Sequence, residues 1–221
     1  METGILLSIQ VGRPQLLMDF ESGVPGGRPF STAIVKRPVK GPILLAPAGL
    51  EGDRQADREN HGGPDKAVLA YCAEHYVDWI DELHLPDLRY GGFGENLTIS
   101  GLDERSVCIG DTFAIGEVRL RVSQPRQPCW KLARRWKVKD LPSRVNSKRN
   151  PGWYLRVLQG GELLAGTQVE VVDRPYPDWT VRRAIEAMQR RGEDRAEAGE
   201  LAAISMLATP WREALISEPG R

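Results

Sequence analysis

Short apolar runs separated by glycine and proline are the feature that most restricts what this chain can fold into. The 221 residues include 23 glycines and 16 prolines. Alternating or short apolar runs are typical of strands, and the glycines and prolines between them indicate turns. The strand candidates are Ile5 to Val11, Thr32 to Val35, Ile43 to Ala46, Ala67 to Tyr71, Asn96 to Ile99, Ser106 to Ile109, Thr112 to Ile115, Val118 to Ser123, Trp153 to Leu158 and Gln168 to Val172. This pattern predicts a mainly β fold, a closed or nearly closed β-barrel with minor helices.

Helical patterns occur in the middle of the chain and at its end. Before Pro86, apolar residues recur at the spacing of one helix face, at Tyr76, Trp79, Ile80 and Leu83. Lys131 to Lys137 is a short helix candidate. After Arg174 to Pro177 the chain changes character, and its apolar stripes predict three helices. We therefore predict two domains, a barrel at 1–174 and a small three-helix domain at 175–221.

Charge and cysteine content narrow the functional classes. Thirty Lys and Arg balance thirty Asp and Glu, which gives no general case for nucleic acid or an anionic membrane as partner. A local basic run from Arg134 to Lys139 remains. Three cysteines do not make a disulfide framework, and neither a signal peptide nor a membrane-length apolar stretch is visible. We expect a cytoplasmic protein without a membrane partner.

Cys129 is the strongest candidate for chemistry. It follows Pro125 and Pro128, which stiffen the chain, and Arg126 and Lys131 lie close by in sequence. Nearby cations favour the thiolate, which is the form that acts as nucleophile or metal ligand. The other two cysteines have apolar neighbours and are predicted to be core residues: Cys72 and Cys108. A structural role for Cys129 stays open on the residues alone.

Two glycine-rich segments are further candidates. One carries Gly49 to Arg54 and then His61 to Lys66, which could cradle an anion with backbone amides or could be a long surface turn. The other runs from Tyr90 to Leu97 and offers Glu95 and Asn96 beside three glycines, either to a ligand or to a hairpin loop.

Several common sites are absent from the sequence. It has no Cys-x-x-Cys and no His-Glu-x-x-His, which disfavours zinc, and no Gly-x-Ser-x-Gly of a serine hydrolase. A cysteine hydrolase needs a histidine as base, and His61 is the loop candidate for that role.

Taken together and in this order, these motifs resemble the MOSC family, the molybdenum cofactor sulfurase C-terminal domain, and most closely its YiiM-type bacterial members. Asp178 to Val181 opens a segment similar to the three-helix C-terminal domain of that subgroup. The motifs that carry the resemblance are Gly49-Leu50-Glu51-Gly52-Asp53, His61-Gly62-Gly63-Pro64-Asp65, Phe93-Gly94-Glu95-Asn96-Leu97, Gly110-Asp111 and Ser123-Gln124-Pro125-Arg126 with Pro128-Cys129.

The resemblance implies a MOSC barrel that binds a molybdenum cofactor, a Mo-pyranopterin, with Cys129 as catalytic metal ligand. It implies reduction of N-hydroxylated compounds such as hydroxylaminopurines, hydroxylamines and amidoximes to amines, by oxygen-atom transfer to molybdenum, as a detoxification activity. The chain shows no flavin, haem or iron–sulfur motif, so a separate reductase is the expected electron donor. A homodimer is a further expectation.

The resemblance also suggests which residues bind the cofactor. The residues that would hold the phosphate are His61, Gly62, Gly63, Lys66 and Arg126. Those that would contact the pterin edge are Gly94, Glu95 and Asn96. Two other hypotheses stay open. The protein could be a carrier that holds the cofactor or sulfur on Cys129 without turnover, or an interaction module without cofactor.

Overall fold

Seven strands close into a barrel in this computed structural model, which describes residues 2–19 and 27–217. Within that part of the chain the strands are β1 (Thr3–Val11), β2 (Gln15–Asp19), β3 (Arg28–Thr32), β4 (Arg37–Pro38), β5 (Ile43–Ala46), β6 (Gly49–Leu50), β7 (Val68–Cys72), β8 (Leu97–Ser100), β9 (Thr112–Ile115), β10 (Val118–Pro125), β11 (Trp153–Gln159), β12 (Gly161–Leu163) and β13 (Gln168–Asp173). The α-helices are α1 (Arg58–His61), α2 (His75–Leu83), α3 (Trp130–Trp136), α4 (Leu141–Lys148), α5 (Val181–Arg190), α6 (Arg195–Ala202) and α7 (Thr209–Ile216).

The barrel follows the order β13, β9, β10, β11, β7, β8 and β1, and β1 pairs back with β13. All neighbours are antiparallel except β7 and β8, which run parallel. Closure removes the exposed edges that an open sheet would leave. The predicted mainly β barrel with smaller helices is therefore confirmed.

The barrel interior and the C-terminal helices share one apolar core. Leu6, Phe113 and Leu120 are fully buried inside, and Ala184 and Leu201 from the helices belong to the same cluster. Thr180 is the N-cap of helix α5, and its side chain accepts a hydrogen bond from the Arg183 N–H. The division into domains 1–174 and 175–221 stays a prediction, and residues 218–221 lie outside the described part.

A second, smaller core holds the three central helices against the barrel. Tyr71 of β7 stacks on Phe93 with ring centroids 4.6 Å apart, and the rings pack against α2, α3 and α4 through Trp79, Leu132 and Leu141. This core anchors α3, and with it the loop that carries Cys129. Among the described residues, no helix combines the length and apolar character needed to span a bilayer.

Two strand predictions were wrong, and some elements were not predicted. Ser106 to Ile109 is a tight turn rather than a strand, because the Asp111 carboxylate accepts a hydrogen bond from the Cys108 N–H at 2.9 Å. Of the candidate Thr32 to Val35, only Thr32 belongs to a strand. Helix α4 was not predicted, since it buries just Leu141 and Val145 and its other residues are polar or proline.

Candidate functional site

One cavity collects most of the predicted site residues. It lies among the loops after β3, β6 and β10 and encloses about 650 Å³ of empty space, its open mouth included. The basic side chains of this main cavity are Lys36, Arg54, His61, Lys66, Arg126 and Lys131, and its carboxylates are Asp53 and Asp57. The excess of basic groups favours an anionic ligand.

Cys129 is placed at the start of α3, where it is the N-cap residue and partly buried. Burial alone would raise the pKa of its thiol. Hydrogen bonding with His61 and the charge of Arg126 outweigh burial, and together with the Lys131 N–H they lower the pKa to about 7. By contrast, burial raises the pKa of Cys108 to about 11 and raises that of Cys72 further. Cys129 is therefore the cysteine poised to act as a thiolate near neutral pH.

Arg126 points a charged group into a buried position without a partner. The residue is 6% exposed, and its Nη1 atom is buried with no hydrogen-bond acceptor. Its backbone N–H donates to the Gly152 carbonyl oxygen at 3.0 Å, which fixes the chain at that point. Leaving a buried charged donor unsatisfied costs more than leaving a neutral one. The arrangement calls for an acceptor, and an anionic one suits it best.

The predicted phosphate cradle is partly assembled. His61 and Lys66 line the main cavity, and the Lys66 ammonium donates to the Asn60 carbonyl oxygen at 2.7 Å. Burial lowers the Lys66 pKa. Gly62 and Gly63 form the turn between them and are not part of the wall. A side chain at Gly62 would meet the Arg58 carbonyl oxygen at 2.5 Å, so this glycine shapes the turn after α1.

The segment Tyr90 to Asn96, here called the glycine-rich loop, places its predicted residues differently. Glu95 is fully buried, and its carboxylate accepts hydrogen bonds from the Phe93 N–H at 3.1 Å and from the Thr98 hydroxyl at 3.0 Å. The Gly91 N–H and the Tyr76 hydroxyl also donate to it. Glu95 therefore fixes the loop, and these contacts give no support to its predicted role at a cofactor.

Gly94 and Asn96 do line the main cavity. The Asn96 amide is nevertheless engaged within the fold, since it donates to the Gln10 carbonyl oxygen at 3.2 Å and accepts from the Leu69 N–H at 3.1 Å. Gly94 has φ +83°, and a side chain there would come within 2.8 Å of Ile34 Cγ1. Both residues shape the wall, and their predicted pterin contacts stay predictions.

Sequence reasoning missed a buried ion pair at the main cavity. Lys36 pairs with Asp53, which also accepts a hydrogen bond from the Gly12 N–H at 2.7 Å. Burial lowers the Lys36 pKa, and Asp53 partly offsets this. Asp53 lies in the motif Gly49 to Arg54, but no local pattern indicates Lys36 as its partner. Tyr154 was also missed, and burial raises the pKa of its hydroxyl.

The basic run from Arg134 to Lys139 is largely structural. Arg135 donates to the Gly91 carbonyl oxygen at 2.7 Å and also to that of Ile34, so it ties α3 to the glycine-rich loop. Arg134 pairs with Asp19 at 3.0 Å. Lys137 and Lys139 are exposed.

A second cavity adjoins the first and shares several residues with it, among them His61, Cys129 and Tyr154. It adds Gln124 and Trp130 to the wall. Trp130 is half exposed and packs on Phe30, with ring centroids 4.9 Å apart. The segment Arg126 to Cys129, here called the cysteine loop, thus presents its thiol to both spaces.

The protein residues alone do not form a metal site. Within residues 2–19 and 27–217, no group of three or more His, Cys, Asp or Glu side chains is arranged to hold a metal ion.

A family model matches the middle of the chain, and individual relatives match nearly all of it. A family model described as "MOSC domain" matches residues 57–170. Uncharacterized protein YflK of Bacillus subtilis is 38% identical over 216 residues, which are 98% of this chain and 95% of that protein. The crystal structure of YiiM from Geobacillus stearothermophilus is 32% identical with a TM-score of 0.79, covering 96% of this chain and 97% of the other.

A third relative is longer. A protein of Gibberella moniliformis named "Reductase" is 35% identical over 98% of this chain, and the match spans 38% of that protein.

Proposed function

The chain belongs to the MOSC domain family, and on that premise we propose that it is a molybdenum cofactor-dependent reductase of N-hydroxylated compounds. MOSC domains are associated with binding of the molybdenum cofactor. The observation that carries the proposal is the Cys129 thiol, whose pKa is about 7, in a cavity where Arg126 keeps a buried Nη1 unpartnered. One relative named "Reductase" supports the reaction class.

The residues present fit a phosphorylated pterin that carries a soft metal. A thiolate is a ligand that suits such metals, and Cys129 is the thiol with a lowered pKa. The unpartnered Arg126 donor and the Lys66 ammonium suit a phosphate, which accepts charge-assisted hydrogen bonds. A cofactor that brings its own metal ligands also explains why a single cysteine suffices here.

When bound, the cofactor supplies two-electron oxygen-atom transfer chemistry, and the protein supplies position and electrostatics. Cys129 would hold the metal as a thiolate, and His61 favours that thiolate by lowering the pKa of the thiol. Arg126 and Lys66 neutralise the phosphate, while Leu69 and Phe93 cover part of the wall and limit entry of water.

Electrons must come from outside this chain. The sequence carries no flavin, haem or iron–sulfur motif, so we propose that a separate reductase acts as donor. The proposed substrate is a small N-hydroxylated molecule that loses its oxygen and leaves as the amine.

Turnover tests the proposal directly. The wild type, Cys129→Ser and the matched control Cys108→Ala are produced in a host that makes the molybdenum cofactor. Each is then assayed with a hydroxylamine and an artificial reductant. We expect many turnovers per chain for the wild type and Cys108→Ala, and at least a hundredfold loss for Cys129→Ser, because removing a group that the chemistry requires has effects of about this size or more.

The same assay separates an enzyme from a carrier. Release of cofactor or sulfur to an acceptor, once per chain and without amine formation, would reject the reductase and favour a carrier that uses Cys129.

A further inference from the structure

Gln124 presents a second unsatisfied buried polar atom near Cys129. The residue is 2% exposed, and its Oε1 atom is buried without a hydrogen-bond donor. The other end of the same amide is used, since Nε2 donates to the Pro125 carbonyl oxygen at 3.2 Å. Gln124 lies in the wall of the second cavity together with Cys129. A side chain with an unpaired acceptor therefore belongs to the wall of a space that reaches the proposed metal ligand.

The backbone explains why Gln124 faces this space. Strands β10 and β11 pair Val122 with Leu155 and then Gln124 with Tyr154, so Ser123 is an extra residue, a β-bulge. A bulge redirects the side chains that follow it, and bulges are common beside active sites. The Ser123 hydroxyl bonds the Tyr154 carbonyl oxygen at 3.1 Å and also that of Asp65. These bonds fix the bulge and hold Gln124 in place.

The two cavities overlap at Cys129, His61 and Lys66, but different unpartnered groups belong to their walls. Arg126, a cationic donor without an acceptor, lines the main cavity, and Gln124, a neutral acceptor without a donor, lines the second. A phosphorylated cofactor satisfies the first. It does not satisfy the second, since a phosphate offers acceptors to a position that needs a donor.

Resting on the function proposed above, we infer that the second cavity binds the N-hydroxylated substrate and that Gln124 Oε1 accepts a hydrogen bond from the substrate N–H. A hydroxylamine carries its N–H next to the oxygen that is to be removed. With that oxygen directed to the metal side of Cys129, the N–H remains for Gln124. Trp130, half exposed in the same wall, offers an aromatic face to the body of the substrate.

A pair of substrates isolates this one hydrogen bond. An arylhydroxylamine, Ar–NH–OH, has the N–H donor, whereas its N-methyl counterpart, Ar–N(CH3)–OH, lacks it. The variants are Gln124→Met, which removes the acceptor at similar length, Gln124→Glu, which keeps an acceptor oxygen, and the control Gln159→Met on the exposed end of β11. KM and kcat are measured for both substrates, with molybdenum content and thermal unfolding recorded for each variant.

For Gln124→Met we expect the KM of Ar–NH–OH to rise about fivefold, which is roughly what one neutral hydrogen bond is worth. The kcat for Ar–NH–OH should stay unchanged, because a contact made equally in the ground and transition states affects KM alone. The KM of the N-methyl substrate should also stay unchanged, because that substrate has no N–H to donate. Gln159→Met should keep the wild-type KM. Gln124→Glu exchanges the Nε2 donor to Pro125 for an oxygen but keeps an acceptor, so it should still show a lower KM for Ar–NH–OH than for the N-methyl compound. Equal KM changes for both substrates, or no change for either, would overturn the inference.

Two further measurements do not depend on the Gln124 variants folding or on turnover. The wild type must have a lower KM for Ar–NH–OH than for the N-methyl compound even if the Gln124 variants fail to fold, and equal values would contradict the inference. Calorimetric binding of the product amine, Ar–NH2, does not depend on turnover. If the wild type proves inactive, the proposed reaction fails. Amine binding lost in Gln124→Met would then still support the subsite, and no binding to the wild type would reject it.

Discussion

The cysteine loop and the glycine-rich loop line the same cavity but use their polar groups in different ways. In the glycine-rich loop, Glu95 accepts four hydrogen bonds from within the fold and Asn96 makes two. In the cysteine loop, Arg126 leaves a buried Nη1 without an acceptor. Buried polar groups are normally satisfied, so an unsatisfied donor on a residue of a cavity wall is available to a ligand or to water. The comparison teaches that the first loop builds the scaffold and the second one binds.

The largest expected effect is the loss of stability when the Glu95 carboxylate is removed from the glycine-rich loop. Glu95→Ala leaves several buried donors unpaired, and we expect it to lower the free energy of unfolding by about 3 kcal/mol or more. Denaturant unfolding of the cofactor-free protein measures this. Thr98→Val is the control. It removes one of the four donors to Glu95 and also the acceptor of the Gln10 Nε2 hydrogen bond, so it should cost about 2 kcal/mol, less than Glu95→Ala. A stable Glu95→Ala protein that simply loses its cofactor would reverse the assignment of the two loops.

Arg126→Met tests the binding side. We expect the free energy of unfolding of the cofactor-free protein to fall by less than about 1 kcal/mol or to rise, because replacing a buried unpaired charge with an apolar group is often neutral or stabilising. Cofactor content per chain should fall severalfold. A large loss of stability in Arg126→Met, with the cofactor content per folded chain unchanged, would show that Arg126 stabilises the fold rather than binds the cofactor.

A smaller effect concerns the pKa of the Cys129 thiol and the contribution of His61 to it. In cofactor-free protein, the rate of Cys129 alkylation should rise with pH around a midpoint of about 7 and level off above it, since the thiolate reacts. His61→Ala removes the hydrogen bond that lowers this pKa, so the midpoint should move up towards the ordinary value of 9.0. Mass spectrometry of the Cys129 peptide follows the reaction, with Cys108 as the slow internal reference. The same midpoint in the wild type and His61→Ala would show that His61 does not lower the Cys129 pKa.

The strands and the setting of Cys129 were predictable because their signals are local. Alternation of apolar residues marks β10, and Arg126 lies three positions from Cys129 in the sequence. The misassigned segment Ser106 to Ile109 shows the limit of that approach. Val107, Cys108 and Ile109 are all buried as in a strand, but they lie in a turn that Asp111 closes and α5 covers.

Pairings between distant segments were not predictable. His61 acts on Cys129 from another loop, and Lys36 meets Asp53 across the main cavity wall. The resemblance suggested Glu95 as a pterin contact, and only the structure shows that its carboxylate accepts hydrogen bonds from the Gly91 and Phe93 N–H groups. A single sequence shows which residue types are near one another along the chain, whereas the direction of a side chain depends on the closed barrel.

The most direct test of the central claim is molybdenum per chain, measured in wild type, Cys129→Ser and Cys108→Ala from a host that makes the cofactor. The account predicts near-stoichiometric metal in the wild type and in Cys108→Ala, and loss of most of it in Cys129→Ser. Equal metal in all three proteins would remove Cys129 as the ligand. No metal in the wild type, from a host whose other molybdenum enzymes are loaded, would contradict the proposed function itself.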